Sequence, residues 1–450
     1  MARNRIIYQS EAVYCSQNVA YNTGQLSKGD IMDLNRIQSA NYSFNVARQD
    51  VNQFGDLAAI DRVITESPTV SLDFSYYLAN FTNENRLGFF VTQSGQGGSV
   101  TTPAGKMVPG NKTYKSCITN IIDSATNAQQ KDYYILTMKE GKDANEDFTT
   151  GDYAGGSIIG VGNGFLTSYS SEGSVGGMPT VSVSAEAQNM NFVNLPYTAG
   201  VSSPGAGIGL KTGTNTAGAL RSVLQISGEN PAVNPTDGSK TNAKVALPVA
   251  STNASGSAVG TNMGAISCLR PGDITLTLAR KVSDSVGDAA ITTANMDAPN
   301  YAGASITDAH IQSYTLSFDL SRSPIQKLGS KFAFARVVDF PVTTSLSVDA
   351  ILSDLTTGSL ADIVDCDKEF DAKISIADPT CDTTKRAAKP IVCTYVLKGL
   401  KLDSQSFTSS IGDNKNVTLD FSAQIGGPEQ SGMGVFMSGF YDYGNMPDNW

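Results

Sequence analysis

The stretch IQSANYSFNVARQDVNQFGDLAAIDRVITESPTVSLDFSYYL, residues 37–78, decides the fold because the chain contains it twice. Residues 311–352 read IQSYTLSFDLSRSPIQKLGSKFAFARVVDFPVTTSLSVDAIL and align with it without a gap, at an offset of 274 from Ile37 to Ile311. About a third of the aligned positions are identical. An internal repeat of this kind predicts two copies of one structural unit.

A second block repeats in the same order. Residues 166–185 (LTSYSSEGSVGGMPTVSVSA) align with residues 402–421 (LDSQSFTSSIGDNKNVTLDF) at an offset of 236. Chance similarity between two Ser/Thr-rich segments is the alternative, and two ungapped, ordered alignments disfavour it. The sequence therefore predicts a first copy of the unit over 1–195, a linker or insertion over 196–268, and a second copy over 269–450.

Both copies alternate apolar and polar residues. Between Val70 and Tyr76, apolar side chains alternate with Ser71, Asp73 and Ser75, and residues 344–349 repeat the pattern. A period of two with one polar side indicates antiparallel strands with one buried face. We therefore expect a mainly β fold built from two tandem copies of a β-sandwich or barrel.

Apolar spacing also predicts one helix packed on the sheet in each copy, over 114–130 and over 359–366. The region 196–268 is rich in Gly, Ser, Thr, Asn and Ala, as connecting segments are, and residues 219–227 within it predict one strand.

A long segment separates two predicted strands in each copy. Residues 49–66 and 323–340 are too long for a tight turn, so we predict that each forms a hairpin arm with a functional role. The arginines at both ends of each arm indicate either solubilising charge or an ion pair between subunits, and the sequence leaves both open. The candidate residues for contacts of the arms with a neighbouring subunit or ring are Arg48, Val51, Phe54, Gly55 and Arg62 in the first copy and Arg322, Ile325, Leu328, Gly329 and Arg336 in the second.

The composition excludes several classes of protein. The formal net charge of −10 disfavours binding to nucleic-acid phosphates. Six cysteines without a CxxC spacing indicate reduced thiols of a protein made in the cytosol. No apolar run approaches the roughly 20 residues of a membrane helix, and the first residues do not read as a signal peptide.

Catalytic and cofactor signatures are missing. His310 is the single histidine, and no GxSxG or GxxxxGK[ST] motif is present. The glycines at 160–164 and 205–209 read as turns. Alternating acids at 365–371 could hold calcium, but without the loop glycine a solvated strand edge is the better interpretation. We expect no enzyme activity, no cofactor and no metal.

The runs RIQSANYSFNVARQDVNQFGDLAAIDRVITESPTVSLDFSYYL (36–78) and GVGNGFLTSYSSEGSVGGMPTVSVSAE (160–186) resemble tail tube (major tail) proteins of tailed bacteriophages, of the type with a duplicated tube fold. The resemblance implies a structural virion protein that is assembled in the host cytoplasm and located in the tail. It implies homotrimeric, pseudo-hexameric rings that self-assemble into a tube for DNA ejection. The implied partners are further copies of the chain, other tail proteins, and passing DNA without sequence-specific binding. No membrane binding is implied.

Three other functions compete with this interpretation. A capsid decoration protein or other non-enzymatic head protein is the main alternative. A host-binding or carbohydrate-binding module would carry aromatic residues clustered in loops, whereas here Tyr and Phe follow strand alternation. A hydrolase is disfavoured by the single histidine.

Overall fold

A computed structural model of the chain describes 11–17, 31–66, 68–93, 115–122, 131–138, 140, 157–187, 189–194, 269, 271–280, 310–325, 328, 335–351, 369–377, 391–408, 416–427 and 433–439. The region 196–268, with its predicted strand at 219–227, lies outside these residues. So does the predicted helix at 359–366.

Strands dominate the described residues, which confirms the predicted mainly β fold. In residues 1–195, the predicted first copy, they are β1 (Glu11–Gln17), β2 (Ile31–Leu34), β3 (Ile37–Asn45), β4 (Arg48–Val51), β5 (Asp61–Ile64), β6 (Thr69–Tyr77), β7 (Val91–Gln93), β8 (Lys131–Thr137), β9 (Ser157–Ser174), β10 (Thr180–Ala187) and β11 (Asn189–Asn194). In the second copy they are β12 (Ile274–Arg280), β13 (His310–Asp319), β14 (Arg322–Ile325), β15 (Ala335–Val338), β16 (Thr343–Ile351), β17 (Phe370–Ala377), β18 (Ile391–Thr408), β19 (Asn416–Gln424) and β20 (Gly434–Gly439).

Helices are short in the described part of the chain. They are α1 (Thr82–Leu87), α2 (Thr119–Ile122) and a 3-10 turn (Pro271–Asp273). The helix predicted from residue 114 begins only at Thr119, because residues 115–118 form a coil and a turn. Residues 123–130 of that prediction lie outside the described part, and α1 was not predicted.

Eight antiparallel strands form the main sheet. Their order is β18-β19-β16-β13-β9-β10-β6-β3. The first four strands come from the second copy and the last four from the first copy, in the same relative order. The main sheet therefore repeats itself across the pair β13·β9, which we call the internal seam.

Strand register repeats with the same two offsets that align the sequences. Even the irregularity between Ile37 and Ser39 in β3 recurs between Ile311 and Ser313 in β13. Similar local sequences alone would give similar strands. Here the pairings between strands that are distant in sequence are equivalent as well. Equivalent cross-strand triplets are Tyr42–Leu72–Ala185 and Leu316–Leu346–Phe421.

Two long strands pass from the main sheet into a second layer. The first half of β9 pairs with β8 and β11, and its second half pairs with β10 and β13. The first half of β18 pairs with β17 and β20, and its second half pairs with β19. Gly399 lies where β18 changes layer, and its φ of 73° is a left-handed conformation that glycine adopts readily.

The core fills the space between the two layers. The predicted alternation is confirmed: in β6 the even-numbered residues Val70 to Tyr76 are buried, while Asp73 is exposed. Across the layers, the rings of Phe74 and Tyr133 lie 6.1 Å apart in the first copy. In the second copy, those of Phe370 and Phe421 lie 5.8 Å apart.

The first copy also contributes a strand to the second layer of the second copy. β7 of the first copy pairs in parallel with β20 of the second, with Val91 opposite Met437. Nearby, the Cys117 N–H of the first copy donates to the Val435 carbonyl at 2.8 Å. The second layer of one copy is thus completed by residues of the other.

Candidate assembly surfaces

The outward face of the main sheet is covered by hydroxyl groups. A row of serines crosses seven neighbouring strands, and the Oγ atoms of the pairs Ser39/Ser75 and Ser317/Ser345 lie 2.7 Å apart. In strand order from β3 to β19 the row is Ser39, Ser75, Ser182, Ser170, Ser317, Ser345 and Ser422.

Carboxylates on the same face accept hydrogen bonds from these hydroxyls. Asp420 accepts from Ser347 and Ser404, both at 2.6 Å, and these two bonds lower its pKa below the ordinary value. Glu172 accepts from Thr180 at 2.7 Å. Such bonds favour the charged form, so the face stays anionic at neutral pH.

The charge of the eight strands is strongly one-sided. Their basic residues are Lys398 and Lys401 in β18 and His310 at the start of β13. Their acidic residues are Asp73, Glu172, Glu186, Asp319, Asp349, Asp403 and Asp420. A cation-poor, hydroxyl-rich surface offers few groups that could hold a polyphosphate.

The main sheet ends in two open edges. On one side β3 pairs only with β6, and on the other the second half of β18 pairs only with β19, within the described residues. These edge strands are the equivalents of β13 and β9, which pair with each other at the internal seam. An open edge presents unpaired N–H and C=O groups to another strand.

Equivalent residues differ sharply in exposure between the seam and the edges. Phe318 at the seam is 2% exposed, and its equivalent Phe44 on β3 is 61% exposed. Ser171 at the seam is fully buried, and its equivalent Phe407 on β18 is 52% exposed. Both edges therefore carry a large apolar side chain at positions that are covered inside the chain.

Side-chain packing and backbone hydrogen bonds hold the internal seam. The rings of Phe318 and Tyr169 stack at 5.2 Å. The Leu320 N–H donates to the Thr167 carbonyl at 2.7 Å. Tyr314 packs on Gly173, where a Cβ atom would lie 2.6 Å from its ring, so only glycine leaves room for it.

Both predicted arms are hairpins that form two-stranded sheets of their own, β4·β5 and β14·β15. The β14·β15 arm lies against the first copy. Its Arg322 donates to the Leu166 carbonyl at 3.4 Å and lies 4.8 Å from the centre of the Phe165 ring. Its Arg336 forms an ion pair with Glu186. Burial and the nearby Arg336 lower the pKa of Arg322 to about 10.

The β4·β5 arm has no such support within the described chain. All eight of its strand residues are exposed, and Arg62 pairs instead with Asp50 of the same arm. The equivalent arginines therefore have different partners in the two copies.

The remaining candidate arm residues lie on exposed parts of the hairpins. Val51 and Ile325 are partly exposed strand residues, and Phe54 and Leu328 near the tips are fully exposed. Gly55 has a φ of 99° and open space around its Cα. The predicted site residue Gly329 lies outside the described residues.

A buried glutamate with a cluster of tyrosines lies beside the internal seam and was not predicted. Glu84 of α1 accepts hydrogen bonds from Tyr76 at 2.8 Å and Tyr169 at 3.1 Å, and the Tyr169 hydroxyl lies 2.7 Å from that of Tyr395. The second oxygen of Glu84 has no hydrogen-bond partner among the described residues. Burial raises the pKa of Glu84 to about 7.

The described residues contain no group of three or more His, Cys, Asp or Glu that could hold a metal ion. Of the acids considered for calcium, Asp371 accepts a hydrogen bond from the Gly399 N–H at 3.1 Å, while Asp365 and Asp367 lie outside the described part. Neither helix in that part has the length and apolar character needed to span a membrane.

Comparison with known proteins gives limited similarity. No protein-family model and no curated protein matches the chain. A chain of the anti-feeding prophage baseplate, in a 6-fold symmetrised cryo-EM structure, matches with a TM-score of 0.25 and 11% identity, over 37% of this chain and 92% of that one. A chain of the tail of an empty GTA particle with C6 symmetry matches with a TM-score of 0.20 and 15% identity, over 28% and 84%.

Proposed function

We propose that this chain is a structural, non-enzymatic subunit of a phage tail tube, and that it assembles head to tail through the open edges of its main sheet. The observation that carries the proposal is the internal seam. It joins β9 and β13, the equivalents of β18 and β3, inside one chain, while β18 and β3 themselves remain open at the two ends. Contacts between unlike surfaces generate rings or filaments.

The internal seam supplies a register for the contact between chains. Phe318 lies opposite Tyr169, and Ser317 lies opposite Ser170. The two offsets convert these pairs into Phe44 opposite Gln405 and Ser43 opposite Ser406. The same operation places Tyr42 opposite Phe407, so the two exposed aromatic side chains of the edges are covered on the buried face of the sheet.

The register also suits closure into a barrel. The row of serines aligns Ser39 of β3 with Ser317 of β13. The residue equivalent to Ser39 is Ser313, so the aligned residue lies four positions further along the strand. This stagger is about 13 Å along the strands for about 19 Å across four strands, which is a tilt of about 35°. Closed barrels have strand tilts of about 35–45°.

Three chains would form a ring wide enough for DNA. With eight strands from each chain, about 24 strands at a spacing of about 4.8 Å and this tilt close a barrel of about 45 Å backbone diameter. The hydroxyl and carboxylate face then lines the channel, where it repels the phosphates of passing DNA. We place the exposed arm tips at contacts between stacked rings, and other tail proteins at the ends of the tube.

Electron microscopy of the purified protein tests this function. The Leu320 N–H donates across the seam to β9. Because N–H directions alternate along a strand, the N–H of Phe318, two residues earlier, also points to β9. The N–H of the equivalent residue Phe44 therefore points out of the open β3 edge. Phe44→Pro and Gln405→Pro therefore each block one edge, since proline lacks the N–H. We expect rings or tubes from the wild type, none from either variant, and dimers from an equimolar mixture, in which one intact β18 edge meets one intact β3 edge.

Phe44→Ala and Gln405→Ala are the matched controls, because they remove the side chain and keep the N–H. Rings formed by Phe44→Pro at the wild-type concentration would contradict the edge contact. Wild-type protein that never forms rings and binds only to capsids would instead identify a head decoration protein.

A further inference from the structure

The seat of the β14·β15 arm on the first copy has an equivalent on the second copy. Arg322 and Arg336 rest on Phe165, Leu166 and Glu186, a patch formed by neighbouring residues of β9 and β10. The offset of 236 converts this seat into Lys401, Leu402 and Ser422 of β18 and β19. Ser422 pairs with Lys401 as Glu186 pairs with Phe165, so the backbone of the two seats is alike.

The β4·β5 arm has a matching face. In the β14·β15 arm, Arg322, Arg336 and Val338 are buried, whereas Ser323 and Val337 on the other face are exposed. The offset of 274 converts the buried residues into Arg48, Arg62 and Ile64, and Asp50 shares their face because it lies opposite Arg62. All four are exposed within one chain.

We propose that the β4·β5 arm of one molecule docks on Lys401, Leu402 and Ser422 of the neighbouring molecule in the ring, an inference that rests on the edge contact proposed above. The occupant of this seat is a second copy of the chain. The continuity of the seat with the β18 edge supports this choice, since β3 leads directly into the arm. Pairing of β3 with β18 would bring arm and seat together.

The charges at this contact are distributed in the reverse way to those inside the chain. At the internal seat the carboxylate belongs to the seat, as Glu186, and the arm has Pro324 opposite Arg336. At the outer seat the position of Glu186 is taken by Ser422, a lysine occupies the position of Phe165, and the carboxylate belongs to the arm, as Asp50. Asp50 is therefore the carboxylate that the arm would bring to Arg48, Arg62 and Lys401.

This reversal gives the contact specificity. An arm face with two arginines and no carboxylate suits the acidic internal seat and is repelled by a seat with Lys401. An arm that carries Asp50 suits the basic outer seat and is repelled by Glu186. Opposed charges of this kind discriminate between partners even where each ion pair adds little affinity.

A charge-reversal pair tests the contact. Asp50→Lys places four cations together, and we expect the protein concentration needed for ring assembly to rise about tenfold, the factor that corresponds to one ion pair of about 1.4 kcal/mol. Asp50→Lys combined with Lys401→Asp should restore assembly. Asp61→Lys is the matched control, because Asp61 is exposed on the opposite face of the same arm. Assembly is followed by sedimentation velocity and electron microscopy, and folding by thermal unfolding of the dilute protein.

The possible results separate the two proposals. If wild-type protein assembles, and Asp50→Lys and Asp61→Lys behave alike, the docking site is wrong and the edge contact stands. If Asp50→Lys forms single rings that no longer stack, the base of the arm contacts the next ring, which also overturns this inference. If Phe44→Pro assembles normally, the edge contact itself fails.

Discussion

The internal seam and the two outer edges of the main sheet are the same strand pair in two situations. At the seam, β13 lies on β9, Phe318 stacks on Tyr169 and both are buried. At the edges, β3 and the second half of β18 carry Phe44 and Gln405 at the equivalent positions, and Phe44 is mostly exposed. The backbone pattern is preserved and the side chains differ, as expected if the permanent contact inside the chain and the contact that we propose for assembly require different strengths.

The largest effect is expected from one substitution made at the two equivalent positions. Phe318→Ala removes a buried ring that packs on Tyr169 and Phe89, so we expect a loss of about 3–5 kcal/mol in the free energy of unfolding. Phe44→Ala should change the stability of the unassembled protein by less than about 0.5 kcal/mol. Urea unfolding of both variants at low protein concentration measures the difference, and equal losses would show that the seam and the edge are alike in the free chain.

The pH dependence of stability should distinguish the seam in a second way. Glu84 is linked to the seam through Tyr169, whose equivalent at the edge is Gln405. Because burial raises the pKa of Glu84 from 4.5 to about 7, the folded state holds this proton more tightly than the unfolded state does. The contribution of this proton to the free energy of unfolding is therefore fully present below pH about 4.5 and is lost as the pH rises to about 7. It amounts to about 3 kcal/mol.

Glu84→Gln keeps an oxygen that can accept from both tyrosines and cannot ionise. We expect the variant to lack this fall in stability, so that the difference between wild type and variant grows from pH 4.5 to 7 and is constant above it. Taking the difference removes the titration of other groups, such as buried Lys131. Denaturant unfolding across this range provides the measurement, and parallel curves for the two proteins would exclude Glu84 as the titrating group.

The smallest effect is expected from making an outer edge resemble the seam. Gln405→Tyr places an aromatic ring opposite Phe44 of the neighbouring molecule in the proposed register. A stacked aromatic pair contributes about 0.5–1.5 kcal/mol beyond its buried area. The concentration needed for ring assembly should therefore fall about two- to tenfold. The same change with Phe44→Ala should give no gain, and a gain in that background would place the tyrosine against a different residue.

The parts of the fold that could be predicted are those encoded in short-range patterns. The alternation around Leu72 and Leu346 specifies which face of each strand is buried, and the gapless alignment carries the register from one copy to the other. The two arms could be predicted because segments of equal length lie at equivalent places in the two copies. Their different surroundings could not be predicted, since Glu186 and Phe165 are far from Arg336 and Arg322 in sequence.

The remaining parts depend on long-range contacts. The helix α1 reads TNENRL and has no amphipathic period, yet most of its polar side chains are buried, and several of them have tertiary partners. Asn83 donates to the Asn35 carbonyl at 2.8 Å, and Arg86 pairs with Asp33. Glu84 likewise depends on tyrosines from three other strands, so no local signal could identify it. The passage of β9 and β18 between layers is set by bulges and glycines whose meaning appears only with their partners.

The parallel pairing of β7 with β20 has a consequence for the descent of this protein. A gene duplication alone leaves two equal halves, and either half can still revert to an independent protein. Once β7 completes the layer that contains β20, the second half depends on the first for a strand, and β7 depends on the second half for its pairing. A duplicated protein with such a pairing cannot be divided into two independent halves without leaving β20 short of a partner, so selection would act on the joined pair.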